Sequence, residues 1–247
     1  MLSVAVRLIY ALDAHVVPMD ATLDLPPIIY DKCDTRCHLR DLFWLCYSFD
    51  KDICLRTGQP PCIDDAHCEL TLPSGYVHSH DATLMLGLPH VDKEVAPLFP
   101  WDLRLSILKS RIYQDLYTAH ALRQSVPEQL TRIRNLDEVL ETWRLSLPAD
   151  FRPTLYFSQG TPVDPRLNTM AVILRLSYYY CVTMIHQASS RCEIMGVTPK
   201  GSGLQGITSS GKLSITASRS TISYLRTVSL VVNPECFWYE PWSLHSR

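Results

Sequence analysis

The chain has 247 residues, a formal net charge of −2, 47% hydrophobic residues and 19% charged residues. This length suffices for one large domain or two small ones, and a chain of this size buries roughly 70–75% of its unfolded surface. The composition excludes a disordered chain, and the slightly acidic balance excludes a module that grips nucleic acid by charge alone, because phosphate contacts supply most of that affinity.

No apolar run reaches about 18 residues, so no membrane span is expected. The nine cysteines are odd in number and no secretion signal precedes them, which reads as reduced thiols in an intracellular setting.

In chain order, the first predicted element is an amphipathic helix near the N-terminus. Val4, Leu8, Ala11 and Leu12 fall on one face, while Arg7 and Asp13 interrupt what would otherwise resemble a leader peptide. The second helix carries Leu42, Leu45, Cys46, Phe49 and Ile53 at steps of three and four, with Asp52 and Arg56 paired on its outer side. Gly58 is expected to stop it, and Pro60-Pro61 prevent its continuation. Residues 57–100, with Pro73, Pro89, Pro97 and Pro100 further along, read as a long connector.

A third helix follows Pro100, with a stripe of Leu105, Leu108, Ile112, Leu116 and Ala119. The next is predicted to start at an Asn135 cap, with Asp137 and Glu138 in its first turn, and to bury Leu136, Val139, Leu140, Trp143 and Leu147 before Pro148 ends it. The segment from Leu167 to Cys192 is apolar on most sides and is expected at the centre of a bundle. Residues 196–211, with five glycines, read as a flexible loop before a last helix from Leu213 to Leu230. Period-two alternation is nowhere sustained. The expected fold is all-α: a multi-helix array with one long proline-containing connector.

Few patterns carry chemistry. Gly201-Ser-Gly-Leu-Gln-Gly206 matches a dinucleotide-binding fingerprint, and Gly206 to Lys212 nearly matches a phosphate-binding loop, with Leu213 where a hydroxyl residue belongs. Either needs a preceding strand, and none is predicted. Asp64, Asp65, His67, Cys68, His78, His80, Asp81, His90 and Asp92 supply metal-ligand types without the spacing of a zinc site, so a solvated loop is expected. Cys33 and Cys37 lack a matching second pair. No nucleophile elbow is present. His186 is expected to be a partly buried histidine bonded to a backbone carbonyl. No catalytic, cofactor or metal residue is assigned.

The stretch from Leu39 to Asp65 resembles the signature of the fungal transcription factor middle homology region. That signature is a helix of the form R-x-x-F-W-x-x-Y-x-x-D followed by a G-R-P-x-x-I-x-D-x-D turn. Arg40, Phe43, Trp44, Tyr47, Asp50, Gly58, Pro60, Ile63 and Asp65 match in order, with Gln59 where arginine is usual. Ala5 to His15 resembles the family's preceding helix, with Asp13 where glycine is common. Leu136 to Pro148, Leu174 to His186 and Ala217 to Leu225 resemble later helices, so the likeness covers nearly all of the chain.

The resemblance implies a regulatory domain acting on RNA polymerase II transcription in the nucleus, with no enzymatic activity. It also implies partners among other segments of the same factor, coregulators or a small effector. In the family, zinc and DNA are held by an N-terminal six-cysteine cluster, which is not among these residues. The sequence is thus expected to be a fragment, a shortened gene model or a derived protein, with the domain cut at both ends. Phe43 and Trp44 are expected to be apolar anchors, and Asp50 and Asp65 to cap or clamp the connector. Two other readings stay open: a ligand-sensing helical protein without DNA-binding activity, and a nucleotide-binding enzyme using the 201–214 loop.

Overall fold

A computed structural model of the chain describes residues 2–17, 30–86, 99, 101–158, 160–161, 169–190 and 202–229. Among these, seven α-helices and three short 3-10 turns are formed, and there is no strand. The helices are α1 (Leu2–Ala11), α2 (Tyr30–Thr57), α3 (Tyr76–Leu86), α4 (Leu103–Leu116), α5 (Val126–Ser146), α6 (Thr169–Gln187) and α7 (Ser202–Val228). The all-α expectation holds. No helix among the described residues is long and apolar enough to cross a membrane.

The chain divides into two compact units, Met1–Tyr76 with Asp102–Arg123, and Val77–Trp101 with Gln124–Arg247. In the first unit, α2 packs against α1 and α4. Its inward face is Phe43, Trp44, Tyr47, Lys51, Cys54 and Leu55, all buried. This corrects the predicted stripe: Leu42, Phe49 and Ile53 are exposed, and Leu45 and Cys46 are half-buried. The helix is apolar on two sides, and the side with the aromatic residues is covered because those rings bury the larger area.

The same inversion occurs in α1. Val6 and Ile9 are buried, while Val4, Leu8 and Leu12 face outward and Ala11 is exposed. Past its end, Asp13 holds a left-handed φ of 52°, at the position where the resembled helix commonly has glycine. α2 stops where predicted. The Gly58 N–H donates to the Cys54 carbonyl at 2.9 Å, and its φ of 70° suits a residue without a side chain.

α4 buries Leu105, Leu108, Ile112 and Leu116, and it ends before Ala119, which is exposed. Its cap is Asp102, whose carboxylate accepts from the Arg104 N–H at 2.9 Å and pairs with the Arg104 guanidinium at 2.7 Å.

In the second unit, α6 is central and packs on α5 and α7. Its buried residues, including Val172, Leu176, Tyr179, Val182 and Ile185, occupy most of its circumference. α5 starts earlier than predicted. Ser125 caps it, and Glu128 reaches back to the Ser125 N–H at 2.9 Å, so Asn135 lies mid-helix. This capping signal outranks the asparagine because it satisfies orphan donors at a site with Pro127 in the first turn. Leu136, Leu140, Trp143 and Leu147 are buried as expected, and Val139 is half-buried.

Two loop expectations are corrected. The 57–100 connector contains a 3-10 turn at Asp65–His67 and the helix α3, while residues 87–98 lie outside the described ones. The 196–211 loop is helical from Ser202 onward. Glycine lowers helix propensity by about 1 kcal/mol per residue, but a helix already nucleated adds a hydrogen bond with each residue it gains. Residues 196–201 lie outside the described ones.

Candidate functional site

The signature residues lie along α2 from Arg40 onward and in the turn that follows it. Phe43, Trp44 and Tyr47 form a ring cluster with centroids 5.4–5.7 Å apart. Arg40 lies over Phe43, 4.6 Å from the ring centre. It donates to the backbone carbonyls of Ala14 at 3.1 Å, Glu69 at 2.8 Å and Thr71 at 3.3 Å. One guanidinium thus ties the end of the first helical segment to the strand-free stretch after the 3-10 turn. Its planar fork of five donors makes this possible.

Asp50 is buried and accepts the N–H groups of Cys62 at 2.8 Å and Ile63 at 3.0 Å. Lys51 is 1% exposed, donates to the Ile63 carbonyl and pairs with Asp65 at 3.0 Å. Asp65 also accepts from Tyr47 at 3.2 Å and from Ser110 of α4 at 2.7 Å. Ile63, 1% exposed, seats the turn in the core. Gly58 and Pro60 shape the turn from its exposed side. Burial, and then the nearby Asp65 charge, pushes the Tyr47 hydroxyl well above its ordinary range, so it acts as a donor and not as a base.

Beside this clamp, Asp52 bridges α2 and α4 through Lys109 at 2.7 Å, and it pairs with Arg56 at 2.6 Å. Burial alone would raise the Asp52 carboxyl, but Lys109 and Arg56 together hold it below the usual carboxylate range. Sequence reasoning missed Lys51, Ser110 and Lys109. The available signal was a lysine placed eight residues after Phe43, on the same helix face.

A second constellation lies in the other unit. The ring of His186, buried on α6, faces the Ser210 hydroxyl of α7 at 2.8 Å through Nδ1 and the Asp137 carboxylate of α5 at 3.3 Å through Nε2. This corrects the expected backbone-carbonyl partner. Serine, histidine and aspartate in a hydrogen-bonded chain are the parts of a hydrolytic triad. Here the order of exposure is reversed: Ser210 is buried, and Asp137 is half-open to water. Ser210 also sits nine residues into α7, where the backbone N–H groups are committed to the helix and offer no oxyanion hole. The arrangement ties three helices together.

The other sequence candidates do not assemble. Ser202 to Lys212 run inside α7, so these residues form helix and not a phosphate loop, and Gly201 lies outside the described residues. Of the histidine–acid group, Asp64 caps the 3-10 turn, Asp65 belongs to the clamp and His80 is buried against Asp81 at 3.2 Å. His90 and Asp92 lie outside the described residues. Among the described residues no three histidine, cysteine, aspartate or glutamate side chains gather as metal ligands. Burial, and then the Asp50 charge, pushes the Cys54 thiol up to about 12.

Comparison with known proteins places this helical assembly. The chain is 35% identical over 199 residues to an ABC-transporter-regulating transcription factor of Aspergillus oryzae, a match covering 76% of this chain and 21% of that protein. A protein of the same name from Aspergillus fumigatus is 32% identical, with the same coverage. The fusaridione A cluster transcription factor of Fusarium heterosporum is 29% identical over 75% of this chain and 31% of its own length. No family model and no solved structure matches. The chain spans about a fifth of the length of the first two relatives, and it is related by sequence to a region of fungal transcription factors.

Proposed function

We propose that this chain is a regulatory region, of the middle homology type, from a fungal zinc-cluster transcription factor. It acts without enzymatic chemistry on RNA polymerase II transcription in the nucleus. It restrains or releases activation by packing against other segments of the same factor, against coregulators or around a small effector. Zinc and sequence-specific DNA binding belong to the six-cysteine cluster of the intact family protein and not to these residues.

One observation carries the reading. The polar groups of the signature, Arg40, Tyr47, Asp50 and Asp65, are spent on holding helices and the turn together, next to the fully buried Phe43 and Trp44. A motif built this way supports a packing module, and the relatives that match about three quarters of the chain are named as transcription factors.

The test is a reporter assay. The chain is inserted between a heterologous DNA-binding domain and an activation domain in yeast. Insertion is expected to change reporter output severalfold at equal protein level, and Trp44→Ala is expected to return it to the level of the fusion without insert. Output that ignores both the insertion and the substitution sinks the proposal.

A further inference from the structure

The surface of α7 turned away from α6 is neither bland nor balanced in charge. From residue 209 onward, where burial is described, the buried residues of α7 are Ser210, Ala217, Ser220, Tyr224 and Val228. At 100° per residue, Lys212, Ile215, Arg219, Ile222 and Arg226 fall within an arc of about 80° on the opposite side. Ile215 and Ile222 are 55% and 54% exposed, and the three cations are exposed as well. None of the three charged side-chain groups makes a hydrogen bond or ion pair among the described residues. No acidic residue occurs between Glu193 and Glu235, so the helix supplies no counter-charge of its own.

Single exposed isoleucines are ordinary on a solvated surface, but this face gathers both exposed isoleucines and all three cations of a helix that has no acidic residue. Here cation and isoleucine alternate at steps of three and four, which is the seam spacing of two helices lying side by side. Next to Arg219, at the middle of the stripe, is a depression of about 340 Å³ lined by Tyr156, Phe157, Thr161 and Thr216. Tyr156 is 75% exposed, and the depression has room for one large side chain of a partner.

We infer that the outer face of α7 docks an acidic amphipathic helix. Its apolar residues lie on Ile215 and Ile222, its carboxylates meet Lys212, Arg219 and Arg226, and one apolar anchor enters the depression beside Arg219. Charge complementarity selects the occupant: three unpaired cations on an acid-free helix favour an acidic partner and disfavour a basic one, and the isoleucine spacing matches one helix face. The inference extends the regulatory reading above by naming the chemistry of the partner segment.

The experiment is fluorescence anisotropy with the full chain. The probe is a labelled helical peptide of about three heptads with leucine at the two seam positions and glutamate beside them. A scrambled peptide of the same composition and a lysine version serve as controls. Saturable binding is expected for the acidic helix alone. It should weaken as salt rises and fall roughly tenfold or more in Lys212→Glu/Arg219→Glu/Arg226→Glu. Ile215→Ser/Ile222→Ser should weaken it while keeping the salt dependence. All five positions are exposed, and far-UV circular dichroism checks that the variants stay helical. If the glutamates unfold α7, the three glutamines replace them.

No saturation, equal binding of the scrambled or lysine peptide, or indifference to the cation variants overturns the inference. So does cation-dependent binding of duplex DNA or anionic phosphatidylserine vesicles in place of the peptide. Peptide binding with a flat reporter leaves this inference standing and removes the regulatory reading; a responsive reporter without peptide binding does the reverse.

Discussion

Trp44 and Asp13 are the two residues at which local chemistry is most exposed to test. Trp44 is fully buried within the aromatic cluster. Trp44→Ala is expected to cost about 3–5 kcal/mol, since it removes a large apolar volume that neighbours refill only in part. An unchanged denaturation midpoint would contradict this role. Asp13 has the opposite sign. Its left-handed backbone costs an L-residue energy that glycine does not incur, so Asp13→Gly is expected to raise stability by about 0.5 kcal/mol, net of the entropy glycine adds to the unfolded chain. A higher urea midpoint at constant slope checks it. The resemblance to a helix with glycine at this place made the position legible in the sequence. That it adopts a positive φ came only from the structure.

At the level of elements, the α2–α4 contact depends on ionised groups. Asp52 has a carboxyl held below its unfolded value by Lys109 and Arg56 against the opposing effect of burial. A depressed folded pKa means stability that is present above the unfolded value, about 3.9 for aspartate, and is lost as pH falls through the folded value. The chain is therefore expected to weaken on acidification below about pH 4, and Asp52→Asn is expected to be less stable at neutral pH with a flatter acid limb. Thermal melts from pH 3 to 7 measure both; parallel curves for the two proteins would remove Asp52 from the account. α6, the second half of α5 and the end of α2 were legible because proline, glycine and a strong 3.6-residue period mark them. α3 and the first turns of α7 were not. The connector's prolines and the glycines before Leu213 argued for loops, and tertiary context overrode those propensities.

For the molecule as a whole, a net charge of −2 bears on what the chain does with nucleic acid. Three cations on one helix are far fewer phosphate contacts than specific binding uses. The chain alone is expected to give no specific shift with duplex DNA in a gel assay at physiological salt. A tight, sequence-dependent shift would transfer the recognition role to these residues and contradict the division of labour proposed above.

The sequence by itself determined the helical class and the C-terminal ends of α2 and α5, and the resemblance it carries named residues that gather around the α2 turn. Each of these depends on local chemistry: a period along one helix, a capping side chain, a glycine free to turn. The tertiary structure decided which of two apolar stripes on α1 and α2 is covered, that Lys51 is drawn inside between Asp50 and Asp65, and that His186 joins Asp137 to Ser210. Those outcomes depend on what another segment brings to the same place. A period along one helix specifies a direction around its axis and carries no record of the surface that will meet it.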